Sequence, residues 1–197
     1  MSKKKEPTIH DMIRMAMVIL NDVNLQNQII ASFKMPDSFL TPELVARRNM
    51  EYADTLPGAT GRFGFDESNP ILVNECMGEE SYLSKLTYNG QRVAFFRISS
   101  VANCVDKFVV VPMDCSKIDI LYLDMYHTFQ SKIAPEGYEI KKIVAGCTGT
   151  SECSQSFKHH IATVSESSQS HFGFPIPDPC LKEFDTAAAN ELLKDLC

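Results

Sequence analysis

The chain has 197 residues, 44% hydrophobic and 22% charged, with ten prolines and nine glycines set at short breaks rather than in tracts. This is ordinary globular composition: it excludes whole-chain disorder and low-complexity architectures, and a chain of this length buries roughly 70% of the surface its unfolded form exposes without a metal or disulfide staple. The formal net charge is −6, and between residues 51 and 84 seven acids stand against one basic residue, Arg62, a balance that argues against a nucleic-acid binder, which needs clustered Lys and Arg.

The only basic run, Lys3 to Lys5, reads as a solvated tail. Behind it, Pro7, His10, Asp11 and Arg14 interrupt any secretory apolar stretch, and MAMVIL is too short to cross a bilayer. No leader and no membrane association are expected, and the cytoplasm is the expected location. The seven cysteines are an odd number and suit reduced thiols, most of them acting as small buried hydrophobes.

From Ile9 the apolar residues Met12, Ile13, Ala16, Leu20 and Val23 recur at helical spacing behind Thr8, a good N-cap. Asn21, Asp22 and Asn24 break the pattern, and Leu25 to Phe33 continue it as a second helix or a kinked one, ending before Pro36. A further helix is predicted from Thr41-Pro42, stopping at Pro57-Gly58, with Leu44, Val45, Arg48 and Tyr52 along one side. Residues 58–70, with three glycines and a proline, read as a loop or linker. This sets the expected organisation: an N-terminal helical section over 1–57, packed on a core over 71–197.

From residue 71 the texture becomes β. ILVN, SYLSKLTY, RVAFFRIS, KFVVVPM and KIDILYLDMY are short runs rich in Val, Ile, Phe and Tyr, and Asn89-Gly90 is the strongest hairpin signal among their breaks. IDILYLDMY is apolar on both alternating sets, which predicts a strand covered on both faces. YEIKKIVAG adds one more strand, and helical spacing of Leu181, Phe184, Ala188, Leu192 and Leu196 predicts a final helix docked on the sheet. The expected fold is α+β: N-terminal helices, a mainly antiparallel sheet of about five strands, and a C-terminal helix.

Three groups of residues could carry chemistry. CTGTSECSQSFKHH, from 147 to 160, offers Cys147, Cys153 and His159 as zinc-type ligands, but it lacks the tight spacing of paired ligands in a zinc knuckle. The second group is Asp124 and His127, at the end of the strand IDILYLD; residues three apart on a continuous strand face opposite sides, so the pair meets only if the strand ends between them. The third is Glu75, Glu79 and Glu80, which surround Cys76 and disfavour its thiolate. GATGRFG lacks the Gly-Lys-Ser/Thr ending of a phosphate loop, and no cofactor pattern occurs.

With catalytic motifs missing and charge asymmetry present, the sequence points to a non-enzymatic intracellular interaction or regulatory protein of adaptor or inhibitor type. Glu75, Glu79 and Glu80 would meet a basic surface on a protein partner. The alternative is a small hydrolase using zinc on Cys147, Cys153 and His159, or a cysteine–histidine pair.

Overall fold

The computed structural model describes residues 7–32, 36–101, 104–143, 146–153, 183–194 and 196. The N-terminal helices start where local chemistry directs. Thr8 caps α1 (Ile9–Asn21) in a reciprocal box with Asp11. Asp22 ends α1 and caps α2 (Val23–Ala31), its Oδ1 accepting from the Asn24 and Leu25 amides at 3.0 and 3.1 Å. Of the two expected arrangements, two separate short helices rather than one kinked helix are formed.

Thr41 and Pro42 open α3 (Pro42–Arg48), but this helix stops at Asn49 rather than at Pro57. The chain beyond it is held by tertiary contacts: Tyr52 meets the Phe129 ring edge-on at 5.3 Å, and Ser131 Oγ donates to the Asp54 carbonyl at 2.8 Å. Residues 58–70, read as a linker, are a loop stitched to itself and to the sheet. The Gly64 amide donates to the Asn69 carbonyl at 2.8 Å, and the Tyr122 amide donates to the Gly64 carbonyl at 2.8 Å.

The sheet is mixed and has seven strands: β1 (Ile71–Leu72), β2 (Leu86–Tyr88), β3 (Gln91–Val101), β4 (Val105–Pro112), β5 (Asp119–Asp124), β6 (Tyr138–Ile140) and β7 (Gly149–Cys153). Its order is β1-β5-β4-β3-β2-β6, with β7 beside β3. An α+β fold is thus present, but with more strands than expected and with two parallel pairings, β1 with β5 and β3 with β7. Both parallel partners are distant in sequence, which is why a local reading yields a simpler antiparallel meander. Asn89 and Gly90 have φ of 48° and 77° and form the predicted hairpin turn. At β7, Gly149 is required by close approach, since a Cβ there would lie 2.1 Å from the Phe95 carbonyl oxygen.

The largest departure is α4 (Glu75–Leu83), which takes Ser81, Tyr82 and Leu83 from the strand expected at SYLSKLTY and leaves only Leu86–Tyr88 as β2. Residues Met77 through Leu83 of this helix are all buried, so no polar face appears in the sequence and the helical period is invisible. Side chains alternate across the sheet. Val93, Phe95, Phe108, Val110, Leu121 and Leu123 share one core with α1 and α4, including Ala16, Leu20, Met77 and Tyr82. Ala94, Phe96, Val109 and Val111 form the other core, with Phe184, Ala189 and Leu193. The last two of those lie on α5 (Thr186–Lys194), so the C-terminal helix covers the opposite face.

Candidate functional site

α4 follows β1 across a sharp strand-to-helix elbow, where Glu75 has φ of 59°. A left-handed backbone at a non-glycine residue costs energy and persists only where surroundings impose it. Here the Glu75 amide donates to the Met125 carbonyl at 2.8 Å, and its carboxylate lies 3.5 Å from Arg48 Nη2. Arg48 is itself buried and donates to Asp37 at 2.9 Å. The elbow therefore joins α3 to the end of β5.

Asp124 and His127 lie beside it. β5 ends at Asp124, and the turn that follows swings His127 back, so its Nε2 is 3.2 Å from Asp124 Oδ2 with both side chains fully buried. The pair is at ion-pair distance but not aligned as a hydrogen bond, and neither ring nitrogen of His127 has a hydrogen-bond partner among the described residues. Asp124 is already engaged: Arg47 Nη1 donates to the same Oδ2 at 2.9 Å, and the Tyr126 amide donates to Oδ1 at 3.1 Å. His127 packs against Phe129, ring centroids 5.1 Å apart. Arg47 on Asp124 clamps α3 onto the end of β5, and neither side chain of the Asp124–His127 pair is exposed.

A second buried polar group lies under α4. Glu79 and Glu80 are 0% and 1% exposed, so the expectation that they form an acidic binding surface needs correction: they face the interior. Glu80 accepts from the Ser151 amide and hydroxyl at 3.3 and 3.4 Å, tying α4 to β7. Glu79 faces Asp106 and Arg97, which are 2% exposed and, for the Arg97 side chain, 24% exposed. Arg97 Nη1 donates to Asp106 Oδ2 at 3.1 Å, and Ser100 Oγ donates to Asp106 Oδ1. Burial first, and then the nearby Asp106 charge, push the Glu79 carboxyl well above the usual carboxylate range.

Sequence reading passed over Asp106 and Arg97, yet both carry a parity signal. Asp106, Phe108 and Val110 alternate on one face of β4, and Val93, Phe95 and Arg97 on one face of β3; the apolar members of both sets are core residues. A charge at a core-face position announces a buried partner. A register shift between Arg97 and Ser99 then sets Ser100 opposite Asp106, a bulge re-aiming a hydroxyl.

The cysteines at 147 and 153 occupy unlike surroundings. Cys147 is buried, its Sγ donates to the Gly149 carbonyl at 3.0 Å, and Ser84 Oγ donates to it at 3.6 Å. Cys153 ends β7 and is exposed. His159 lies outside the described residues. Among the described residues no group of three or more His, Cys, Asp or Glu is placed to hold a metal ion.

A nucleophilic thiol needs a lowered pKa, and several thiols here move the other way. Burial, followed by Glu79, raises Cys76 to about 12; burial, followed by Glu80, raises Cys147 to about 12; Cys115 is raised mainly by burial. The five described cysteines are free. No described helix is long and apolar enough to cross a membrane. Compared with known proteins, the chain matches no family model, no curated protein and no solved structure.

Proposed function

We propose that the protein is a non-enzymatic interaction or regulatory protein, of adaptor or inhibitor type, working in the reducing compartment where it is made. The acids it presents to a basic partner are those of the loop after α3 and its neighbour Glu136, not those of α4. The supporting observation is the anchoring of that loop. Glu51, Glu67 and Glu136 are exposed on backbone tied down by the Asn69–Gly64 and Tyr122–Gly64 bonds and by Lys132, whose amide donates to Asp54 at 2.7 Å. A charged surface held in one conformation loses little entropy on binding, and opposite charge speeds and orients the encounter. Glu136 is paired with Arg62 at 3.0 Å, but both side chains are largely exposed and open to a partner, whereas Glu75 is paired with the buried Arg48 and belongs to the fold's own electrostatics.

The test is a partner recovered by pull-down and then measured with purified components. Replacing Glu51, Glu67 and Glu136 together by Gln should weaken the complex and flatten its salt dependence, and unchanged affinity would remove the electrostatic reading. The hydrolase alternative is separated by metal analysis of the purified chain: a stoichiometric zinc lost on Cys153→Ser would favour it over the interaction reading.

A further inference from the structure

Glu79 is a fully buried carboxyl for which neither oxygen has a hydrogen-bond donor among the described residues. A carboxylate in that position would face Asp106, whose own oxygens are taken by Arg97 and Ser100. One guanidinium, itself partly exposed, then serves two carboxyl groups that are both buried. Two carboxylates sharing a site cannot both ionise cheaply, and one keeps its proton. As a neutral acid Glu79 gains an O–H donor, and Asp106 is the acceptor it faces.

We propose that Glu79 is held as a neutral acid with its O–H directed to the Asp106 carboxylate across the contact between α4 and the sheet, and that loss of this proton is a conformational trigger freeing α4 from β3 and β4. The bond is O–H···O from the Glu79 carboxyl to the Asp106 carboxylate, and the proton leaves to solvent base when the trigger fires.

Among the described residues the charged and titratable groups around the pair are few. On α4 they are Cys76, one turn before Glu79, and Glu80. β3 supplies Arg97, β4 supplies Asp106, β7 supplies Cys153 acting on Arg97, and Tyr126 approaches Asp106 from beyond β5. The polar contacts that α1 and α2 make with α4 and its elbow are uncharged: the Leu20 carbonyl accepts from Ser81 Oγ at 2.6 Å, and Gln26 accepts from Asn74 Nδ2 at 2.9 Å. With Glu79 protonated, Arg97 balances Asp106. Without the proton, an uncompensated negative charge sits beneath a helix that also carries Glu80, and separation of α4 from the sheet lets water reach it. This device stands apart from the binding surface proposed above and does not rest on it.

The test is amide hydrogen exchange of residues 75–84 in the full chain across a range of pH, normalised for the intrinsic base catalysis of exchange. Opening releases one proton between the ordinary value of 4.5 and the higher folded value, so across that window the opening equilibrium grows by up to about tenfold per pH unit, and above it the equilibrium levels off. The wild type should show that rise, confined to α4 and the strands it covers. Glu79→Gln should be flat, and Asp106→Asn, which leaves Glu79 buried but removes the second carboxylate, should level off at a lower pH than wild type. If Glu79→Gln does not fold, the wild type against Asp106→Asn decides. A wild type without the rise, a Glu79→Gln variant that keeps it, or an Asp106→Asn variant that levels off no earlier than wild type overturns the proposal.

Discussion

Two buried polar groups flank α4, and they differ in one count. At the end of β5, a single fully buried carboxylate, Asp124, is matched by a single guanidinium, Arg47. Beneath α4, the two carboxyls of Glu79 and Asp106 are matched, among the described residues, by Arg97 alone. The first group is balanced and behaves as a clamp. The second is short of one positive charge, and a proton makes up the difference. Arg48 also serves two carboxylates, Asp37 and Glu75, but these side chains are 50% and 29% exposed and water screens the imbalance. The number of carboxyls per guanidinium, combined with burial, decides which site titrates.

The comparison can be broken most severely at the clamp. Arg47→Ala strands Asp124 as an uncompensated buried charge and should cost about 3–5 kcal/mol, read as a fall in the denaturant midpoint at unchanged slope. A loss under 1 kcal/mol would mean that water reaches Asp124 and that the clamp is weak. Next in size, Asp106→Asn removes the partner of Arg97 while leaving Ser100 an amide acceptor, and should cost about 1–3 kcal/mol at neutral pH.

Glu79→Gln sharpens the contrast through its sign. The folded protein raises Glu79 above its ordinary value of 4.5, so between the two values the folded state binds a proton that the unfolded state does not. The contribution is whole below about 4.5 and is lost as pH rises through the folded value. Urea melts at acid pH should place the variant within about 1 kcal/mol of wild type, since the amide still donates to Asp106. At alkaline pH the variant should become the more stable of the two. The smallest effect on stability belongs to Gln at Glu51, Glu67 and Glu136, where surface changes stay within about 0.5 kcal/mol in the same melts even though partner binding falls.

What could be read from the sequence was local. The caps at Thr8 and Thr41 and the Asn89-Gly90 turn are short-range chemistry, and each recurs in the fold. The α+β class followed from the change of texture at residue 71. α4 escaped because a helix buried on every side shows no period, and its glutamates read as surface charge when they are interior. The parallel partners β1 and β7 escaped because pairing across such sequence distances leaves no local mark. Asp124 and His127 could be nominated because their spacing needs only a strand end between them, and the structure brings them within 3.2 Å. Asp106 and Arg97 were readable and overlooked: alternation alone puts both on the core face.

The most direct measurement is the titration of the Glu79 side-chain carbonyl carbon by NMR, with the resonance assigned by its loss in Glu79→Gln. The account predicts that this carbon keeps the shift of a protonated acid through the range where the exposed glutamates ionise, and moves only at higher pH, together with the loss of α4 protection. A Glu79 resonance that titrates near 4.5 with the exposed glutamates would contradict it, because the charge beneath α4 would then be balanced without a proton.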